Sequence, residues 1–210
     1  MLRDPQTPLS FRPHGGRRKG AGRPPNGDEA MVSHLARPRF DKATPAHVTL
    51  QVNGSVPSLR SSRRFAIVRK CFADARGKSR LRLVEFSVLS NHLHLIVEAD
   101  DNQALSRGMQ GLNVRLAKAL NKWLNRSGRV FADHYHSRLL LTPTDVANAI
   151  GYVLNNAAHH YGDAPGVDCC TSTSRELRSL LSFPIGWLLT SGVWRARNYA
   201  LAALRGLPGW

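Results

Sequence analysis

Two apolar runs separated by a single residue constrain the fold of this chain more than any other feature of its sequence. LRLVEFSVLS spans residues 81–90, and HLHLIVEA spans residues 92–99. Each run has the length and composition of a strand, and their close spacing favours a tight antiparallel hairpin or a strand with a bulge. We interpret them as the second and third strands of one sheet, after a first strand in HVTLQV at residues 47–52.

Helical periodicity is found on both sides of this hairpin. The spacing of apolar residues between Leu59 and Phe72 predicts a first helix that ends near Gly77. A long amphipathic helix is predicted over residues 102–125, with Asp100 and Asp101 ending the preceding strand and capping the helix, although a water-mediated metal role is an alternative for these acids. Its apolar stripe consists of Leu105, Met109, Leu112, Leu116, Leu120 and Trp123.

A fourth strand and a third helix complete the pattern. The fourth strand is predicted in HSRLLL at residues 136–141, and Thr142, Pro143 and Asp145 follow it as N-cap, first and third helical residues. The resulting order of elements predicts an α+β, ferredoxin-like split βαβ fold with a four-stranded antiparallel sheet and helices on one face. The third helix is then a C-terminal addition, and the other face of the sheet is free to carry a site.

The charge of the chain points to a polyanionic partner. Lysine and arginine total 30 against 14 acidic residues, a formal net charge of +16. Such an excess binds phosphates with release of counterions, so nucleic acid is the first candidate, ahead of charge that serves solubility alone and of a membrane surface. The sequence contains neither a membrane-spanning run nor a signal peptide, so we expect a cytoplasmic protein associated with the nucleoid. Three cysteines without regular spacing predict no disulfides.

Three segments are predicted from composition. Residues 1–44 form a disordered basic arm, residues 45–162 one folded core domain, and residues 163–210 a loop and a small helical appendage. Basic residues in the arm, on the long helix and on the fourth strand are candidates for DNA contact, with an unspecific tether and a solvated helix face as the alternatives. The candidates are Arg17, Arg18, Lys19, Arg23, Arg115, Lys118, Lys122, His136 and Arg138.

Two histidines lie one residue apart in the third strand. Because strand side chains alternate between faces, His92 and His94 project together while Leu93 and Leu95 point the other way. Two neutral imidazoles on a rigid strand make a chelating pair for a divalent metal. A second pair of this form, His134 and His136, favours DNA backbone contact over metal binding.

The third helix carries two polar residues one turn apart, Tyr152 and Asn156. A carboxamide oxygen is a reasonable third metal ligand, and a tyrosine hydroxyl is a nucleophile if its anion is stabilised. The alternative for Tyr152 is an amphipathic residue at the edge of the helix. A catalytic metal with few protein ligands keeps positions open for phosphate oxygen and water.

With these residues together, residues 44–161 resemble a known family. SVLSNHLHLIVEADD is similar to the His-hydrophobic-His segment of the HUH single-strand transposases. YVLNNAAHH is similar to the tyrosine-helix motif of their REP-associated tyrosine transposase branch, although the proline usual after the asparagine is absent. Many relatives also have glutamine where this chain has Asn156.

The resemblance implies a metal-dependent endonuclease and strand transferase that acts on single-stranded DNA folded into hairpins. Tyr152 would attack a backbone phosphate and give a 5′-phosphotyrosine and a free 3′-hydroxyl. His92, His94 and Asn156 would hold the metal, Mg²⁺ or Mn²⁺. The alternative is a domesticated regulator that binds hairpins without cutting them, and the oligomeric state stays open between a monomer and a homodimer.

Overall fold

The computed structural model of the chain describes residues 38–162 and 168–196, and within them the elements follow the predicted order. The four strands form one sheet, α1 and α2 connect its strands, and α3 follows the last strand. The strands are β1 (Thr44–Gln51), β2 (Leu81–Val88), β3 (His92–Ala99) and β4 (His136–Leu139), and the helices are α1 (Ser62–Ala75), α2 (Asn102–Trp123) and α3 (Pro143–Tyr161). Three short helical turns lie at Arg175–Leu180, Leu188–Gly192 and Val193–Arg195.

The strand order confirms the ferredoxin-like prediction. The sheet runs β2-β3-β1-β4 with every neighbouring pair antiparallel. Helices α1 and α2 each connect strands that have one other strand between them, as a split βαβ unit requires. The register shifts between Leu83 and Glu85, where a bulge interrupts the pairing of β2 with β3.

The first face of the sheet is a continuous apolar core under α1 and α2. Alternate residues of the two central strands point into it, and these side chains are at most 1 % exposed. Five of the six residues predicted for the apolar stripe of α2 are buried there, but Trp123 is 42 % exposed at the helix end, where Arg64 stacks on its ring. The strand residues are Ala46, Val48, Leu50, Leu93, Leu95 and Val97.

Side-chain caps fix where α2 and α3 begin. The Asp101 carboxylate accepts a hydrogen bond from the backbone N–H of Ala104, at 2.7 Å, which confirms its capping role. Thr142 and Asp145 form a reciprocal capping box at the start of α3, next to Pro143. These caps set the direction in which α3 leaves β4 and crosses the sheet.

The second face of the sheet is only partly free, because α3 and the C-terminal segment cover the half of it near β2. Val153 of α3 packs there with Ile96 of β3 and with Leu189 and Val193 of the C-terminal turns, forming a second, smaller core. The helix lies on this face because Val146, Ile150, Val153 and Leu154 form an apolar stripe. The uncovered remainder of the face lies toward β1 and β4.

A buried carboxylate anchors the C-terminal segment to the sheet. Glu98 is fully buried, and its oxygens accept hydrogen bonds from the backbone N–H groups of Ile185 and Gly186, both at 2.8 Å. Arg82 pairs with the same carboxylate at 2.7 Å and also with Asp100. The acid at residue 100 therefore belongs to an ion-pair network at the strand end.

In the part of the chain that the structure describes, no helix is long and apolar enough to cross a membrane. Residues 1–37, 163–167 and 197–210 lie outside the described residues, and with them most of the predicted arm. The three segment boundaries stay predictions.

Candidate active site

The register of the central strands gathers polar side chains on the second face. His94 of β3 lies opposite Thr49 of β1 and opposite Ser87 of β2. His92 lies one pleat further along the same face, and His47 lies two residues before Thr49 on β1. The predicted pair of histidines therefore does share a face, with partners on both neighbouring strands.

Three imidazoles are in contact at the centre of this face. The His92 and His94 ring centroids are 4.8 Å apart with perpendicular planes. His47 lies 5.1 Å from His94, and its Nε2 is 3.1 Å from His94 Nδ1. The Thr49 hydroxyl lies 3.2 Å from the same Nδ1. His94 is thus held on one edge by two side chains of β1.

These histidines are neutral at pH 7. Burial, reinforced by His47 and His92, lowers the pKa of His94 to about 3. The pKa of His47 is lowered to about 4 by burial and by the nearby His136 and Arg138, and burial together with His160 lowers the pKa of His92. A neutral imidazole keeps a lone pair for a metal, which a protonated imidazole does not.

Helix α3 brings Tyr152 onto these rings. The Tyr152 ring centroid lies 5.2 Å from His94 and 5.7 Å from His47, edge-on to both, and the side chain is 47 % exposed. Two turns later His160 lies 5.7 Å from His92. Tyr152 is therefore both close to the histidines and open to a large ligand.

Unsatisfied polar atoms mark the space between the helix and the strands. Asn156 is 1 % exposed and lies one turn after Tyr152 and one turn before His160, so the helix turns it toward the same strands. Its amide oxygen and nitrogen, His94 Nε2 and Ser87 Oγ are all buried without a hydrogen-bond partner among the described residues. Buried polar atoms without partners cost stability unless a ligand satisfies them. Two imidazole nitrogens and a carboxamide oxygen fit a divalent metal ion with open positions.

The other described tyrosines are engaged elsewhere. The Tyr161 hydroxyl accepts a hydrogen bond from the backbone N–H of Ser90 at 2.9 Å, and Arg60 stacks over its ring at 4.6 Å. Tyr135 is buried in the first core. Of the tyrosines that the structure describes, Tyr152 alone contacts the central histidines.

The second His-x-His pair lies at the β4 border of this face. Its two histidines flank the buried Tyr135, and only His136 lies in β4, opposite Thr49. Arg138 lies opposite His47 and pairs with Asp145 at 3.0 Å. His136 and Arg138 thus border the candidate site, and their role in DNA contact stays a prediction.

The basic residues of α2 lie on the far side of the sheet. Arg115, Lys118 and Lys122 belong to the helix that covers the first face, whereas the histidines project from the second. DNA that contacts both regions must pass around a sheet edge. The arm residues Arg17, Arg18, Lys19 and Arg23 lie outside the described residues, so all these DNA contacts stay predictions.

A separate group of metal-type side chains lies at the β2 edge. The ligand atoms of Asp168, Cys169 and Cys170 are all within 4.8 Å of one another. However, Arg60 binds both carboxylate oxygens of Asp168, at 2.6 and 2.9 Å. Burial raises the pKa of Cys170 to about 12, which keeps its thiol protonated. Both features oppose metal binding at this group.

Sequence reasoning missed His47, Thr49, Ser87 and His160. The signal for the first two was present, because HVT places them on one face of β1 by strand alternation. Only the pairing of β1 beside β3 could reveal which residues that face would meet. Ser87 and His160 carried no distinguishing signal, since each depends on where β2 and α3 lie relative to His94 and His92.

Comparison with solved structures shows a similar fold. The structure is similar to one described as a REP-associated tyrosine transposase bound to a REP hairpin, with a TM-score of 0.57 and 12 % identity over 73 % of this chain and 93 % of that one. It also matches a protein of Deinococcus radiodurans provisionally assigned as a transposase, with a TM-score of 0.41 and 14 % identity over 58 % of this chain and 97 % of that one.

No curated protein has a matching sequence. The family model described as "Transposase IS200 like" matches residues 46–155, which contain the sheet except the first two residues of β1, together with His92, His94 and Tyr152. Transposases are enzymes that cleave DNA. The chain belongs to the IS200-like transposase family.

Proposed function

We propose that this transposase cleaves and rejoins single-stranded DNA beside a hairpin through a covalent 5′-phosphotyrosine on Tyr152, with a divalent metal held by His92, His94 and Asn156. The observation that carries the proposal is the group of unsatisfied buried atoms beside Tyr152. His94 Nε2 and the Asn156 amide lack partners among the described residues, and the Tyr152 ring contacts His94. A protein that only bound DNA would have no need to keep these atoms buried without partners.

The chemistry assigns one task to each side chain. The Tyr152 oxygen forms a bond to phosphorus while the bond from phosphorus to the 3′ oxygen breaks. The tyrosine proton leaves to solvent, and the departing oxygen takes up a proton to become the free 3′-hydroxyl. The phosphodiester energy is retained in the phosphotyrosine, so a second 3′-hydroxyl can reverse the step without ATP.

The metal ligands serve the same phosphate. His92 and His94 offer neutral imidazole nitrogens from a rigid strand, and Asn156 offers a carboxamide oxygen from α3. A bound Mg²⁺ or Mn²⁺ supplies electrostatic stabilisation of the charge that develops on the phosphate. Because these ligands come from β3 and α3, docking of α3 on the sheet brings nucleophile and ligands together.

A DNA hairpin is the proposed partner. The protein of similar fold was solved with a REP hairpin, and this chain has the net charge of +16 that binding to a polyanion favours. His136 and Arg138 border the site and would contact the strand near the scissile phosphate. The basic residues of α2 would contact a duplex portion that extends around the sheet.

The test is covalent capture of labelled hairpin oligonucleotides by the wild type and by Tyr152→Phe, with Mg²⁺ or Mn²⁺. The wild type should form a protein–DNA adduct that survives boiling in detergent, and the variant should form none while binding the hairpin equally well. Tyr161→Phe is the matched control, and it should retain the adduct. An adduct in Tyr152→Phe would move the nucleophile to another residue.

The second candidate function is a hairpin-binding regulator that does not cut. The ordinary exposure of Tyr152 at a helix edge favours it, since an exposed tyrosine also stacks on nucleic-acid bases. Tight hairpin binding by a wild type that forms no adduct with either metal would establish this function instead. Light scattering of the DNA complex would decide between a monomer and a homodimer.

A further inference from the structure

His47 lies within hydrogen-bond distance of His94 and has no role in the proposed chemistry. It lies on β1, between β3 and β4, and its Nε2 is 3.1 Å from His94 Nδ1. Its ring also contacts Tyr152 edge-on. Since its Nε2 is occupied by His94, that atom cannot bind a metal at the same time. Within the described residues, His47 also does not join His92 and His94 in a group of three clustered ligand atoms.

A hydrogen bond between two imidazoles requires one nitrogen with a proton and one without. If His94 carries its proton on Nδ1, that proton has two acceptors, His47 Nε2 at 3.1 Å and Thr49 Oγ1 at 3.2 Å. If His94 carries its proton on Nε2, the N–H is buried without an acceptor among the described residues. Both arrangements leave Nε2 without a partner among the described residues, but only the first leaves a lone pair there that a metal ion can satisfy.

We propose that His47 is a positioning residue. Its Nε2 accepts a hydrogen bond from the protonated Nδ1 of His94, which leaves the Nε2 lone pair of His94 free for the metal ion. This inference rests on the proposed function for the identity of the ligand, but the position of the proton can be measured without any metal. Metal-binding histidines are commonly oriented in this way by an acceptor on the second nitrogen. Here the acceptor is a neutral imidazole, supported by a threonine hydroxyl.

The first experiment locates the proton without any metal. Long-range ¹H–¹⁵N correlation spectra of the full ¹⁵N-labelled chain at pH 7.5 distinguish a protonated from a bare ring nitrogen. We expect His94 to have a protonated Nδ1 and a bare Nε2. In His47→Ala the population with the proton on Nε2 should increase, as in imidazole free in water, and His47→Ala with Thr49→Val should increase it further. A wild type with the proton of His94 on Nε2 overturns the proposal.

The second experiment measures binding of Mn²⁺ by calorimetry and by electron paramagnetic resonance. Loss of an acceptor of this kind typically weakens metal binding by about 10–100-fold, which we expect for His47→Ala. His47→Gln places an amide oxygen where Nε2 was and should restore most of the affinity. His134→Ala, which removes an exposed histidine ahead of β4, is the matched control and should leave the affinity unchanged.

The two experiments separate the two ideas. A protonated Nδ1 in a wild type that binds no Mn²⁺ would overturn the metal site of the proposed function and leave the proton assignment standing. Equal Mn²⁺ affinities for the wild type and His47→Ala would overturn the positioning role. If His47→Ala does not fold, His47→Phe, which keeps a ring and removes the acceptor nitrogen, supplies both readouts, and an unchanged tautomer and affinity in this variant would contradict the proposal.

Discussion

The two faces of the sheet differ in the polar groups that they bury. The face under α1 and α2 buries apolar, unreactive side chains, such as Val48, Leu93 and Leu95. The opposite face buries His94, Asn156 and Ser87 with atoms that lack partners among the described residues. The first face supplies stability, and the second gives up part of that stability to hold reactive groups in place. Substitutions on the two faces should therefore change different properties.

The largest expected effect is on cleavage and comes from the second face. Replacing His92 and His94 together with alanine should lower metal-dependent cleavage by about 10³-fold or more, because several kcal/mol of transition-state stabilisation are lost. The free energy of unfolding should change by only about 1 kcal/mol, because removal of an unsatisfied buried atom offsets the cavity. Single-turnover cleavage and urea denaturation measure the two quantities. A large loss of stability with normal cleavage would show that these histidines serve folding and not catalysis.

The first face should show the converse behaviour. Leu95, which follows His94 in β3, is fully buried in the core under α1 and α2. Leu95→Ala should lower the free energy of unfolding by about 2–5 kcal/mol. Cleavage by the folded fraction should be nearly unchanged. Denaturant titration and cleavage below the unfolding transition test this. Loss of cleavage from a fully folded variant would show that the two faces are coupled.

The smaller core of the second face should show a pH-dependent stability. Burial raises the pKa of Glu85 to about 7, against a hydrogen bond from Ser172. The folded state then holds a proton that the unfolded state releases from about pH 4.5 upward, so stability from this group is present at low pH and decreases between about pH 4.5 and 7. In the wild type this decrease in the free energy of unfolding should be on the order of 3 kcal/mol. Glu85→Gln should remove most of it. Equal pH profiles for the two proteins would contradict the assignment.

The smallest effect is expected on the outer surface of α2. If Lys118 and Lys122 each contact one phosphate, replacing both with glutamine should reduce the slope of log K against log salt by about 0.7 per contact for single-stranded DNA. Lys70→Gln is the control, since its partner Asp74 lies 3.2 Å away on α1. Fluorescence anisotropy over a range of salt concentrations measures the slope. An unchanged slope would restrict DNA binding to the second face.

The element order and the two catalytic candidates on β3 could be predicted because they depend on local rules. Strand alternation places His92 and His94 on one face whatever the rest of the chain does, and the cap at Thr142 starts α3 by hydrogen bonds within four residues. Trp123 lies on the predicted stripe, but it is 42 % exposed at the end of α2. Periodicity does not reveal that this ring stays open to solvent, with Arg64 of α1 stacked on it.

The sequence by itself determined the ferredoxin-like order, the pairing of His92 with His94, and the polar ridge of α3 that carries Tyr152 and Asn156. Only the tertiary structure decided that β1 lies beside β3, which brings His47 and Thr49 onto His94. It also decided that Arg115, Lys118 and Lys122 of α2 lie on the side of the sheet away from the histidines. The physical reason is that alternation and helical periodicity are properties of a few consecutive residues, whereas contacts across strands depend on the sheet order and on the packing of α3, to which distant parts of the chain contribute.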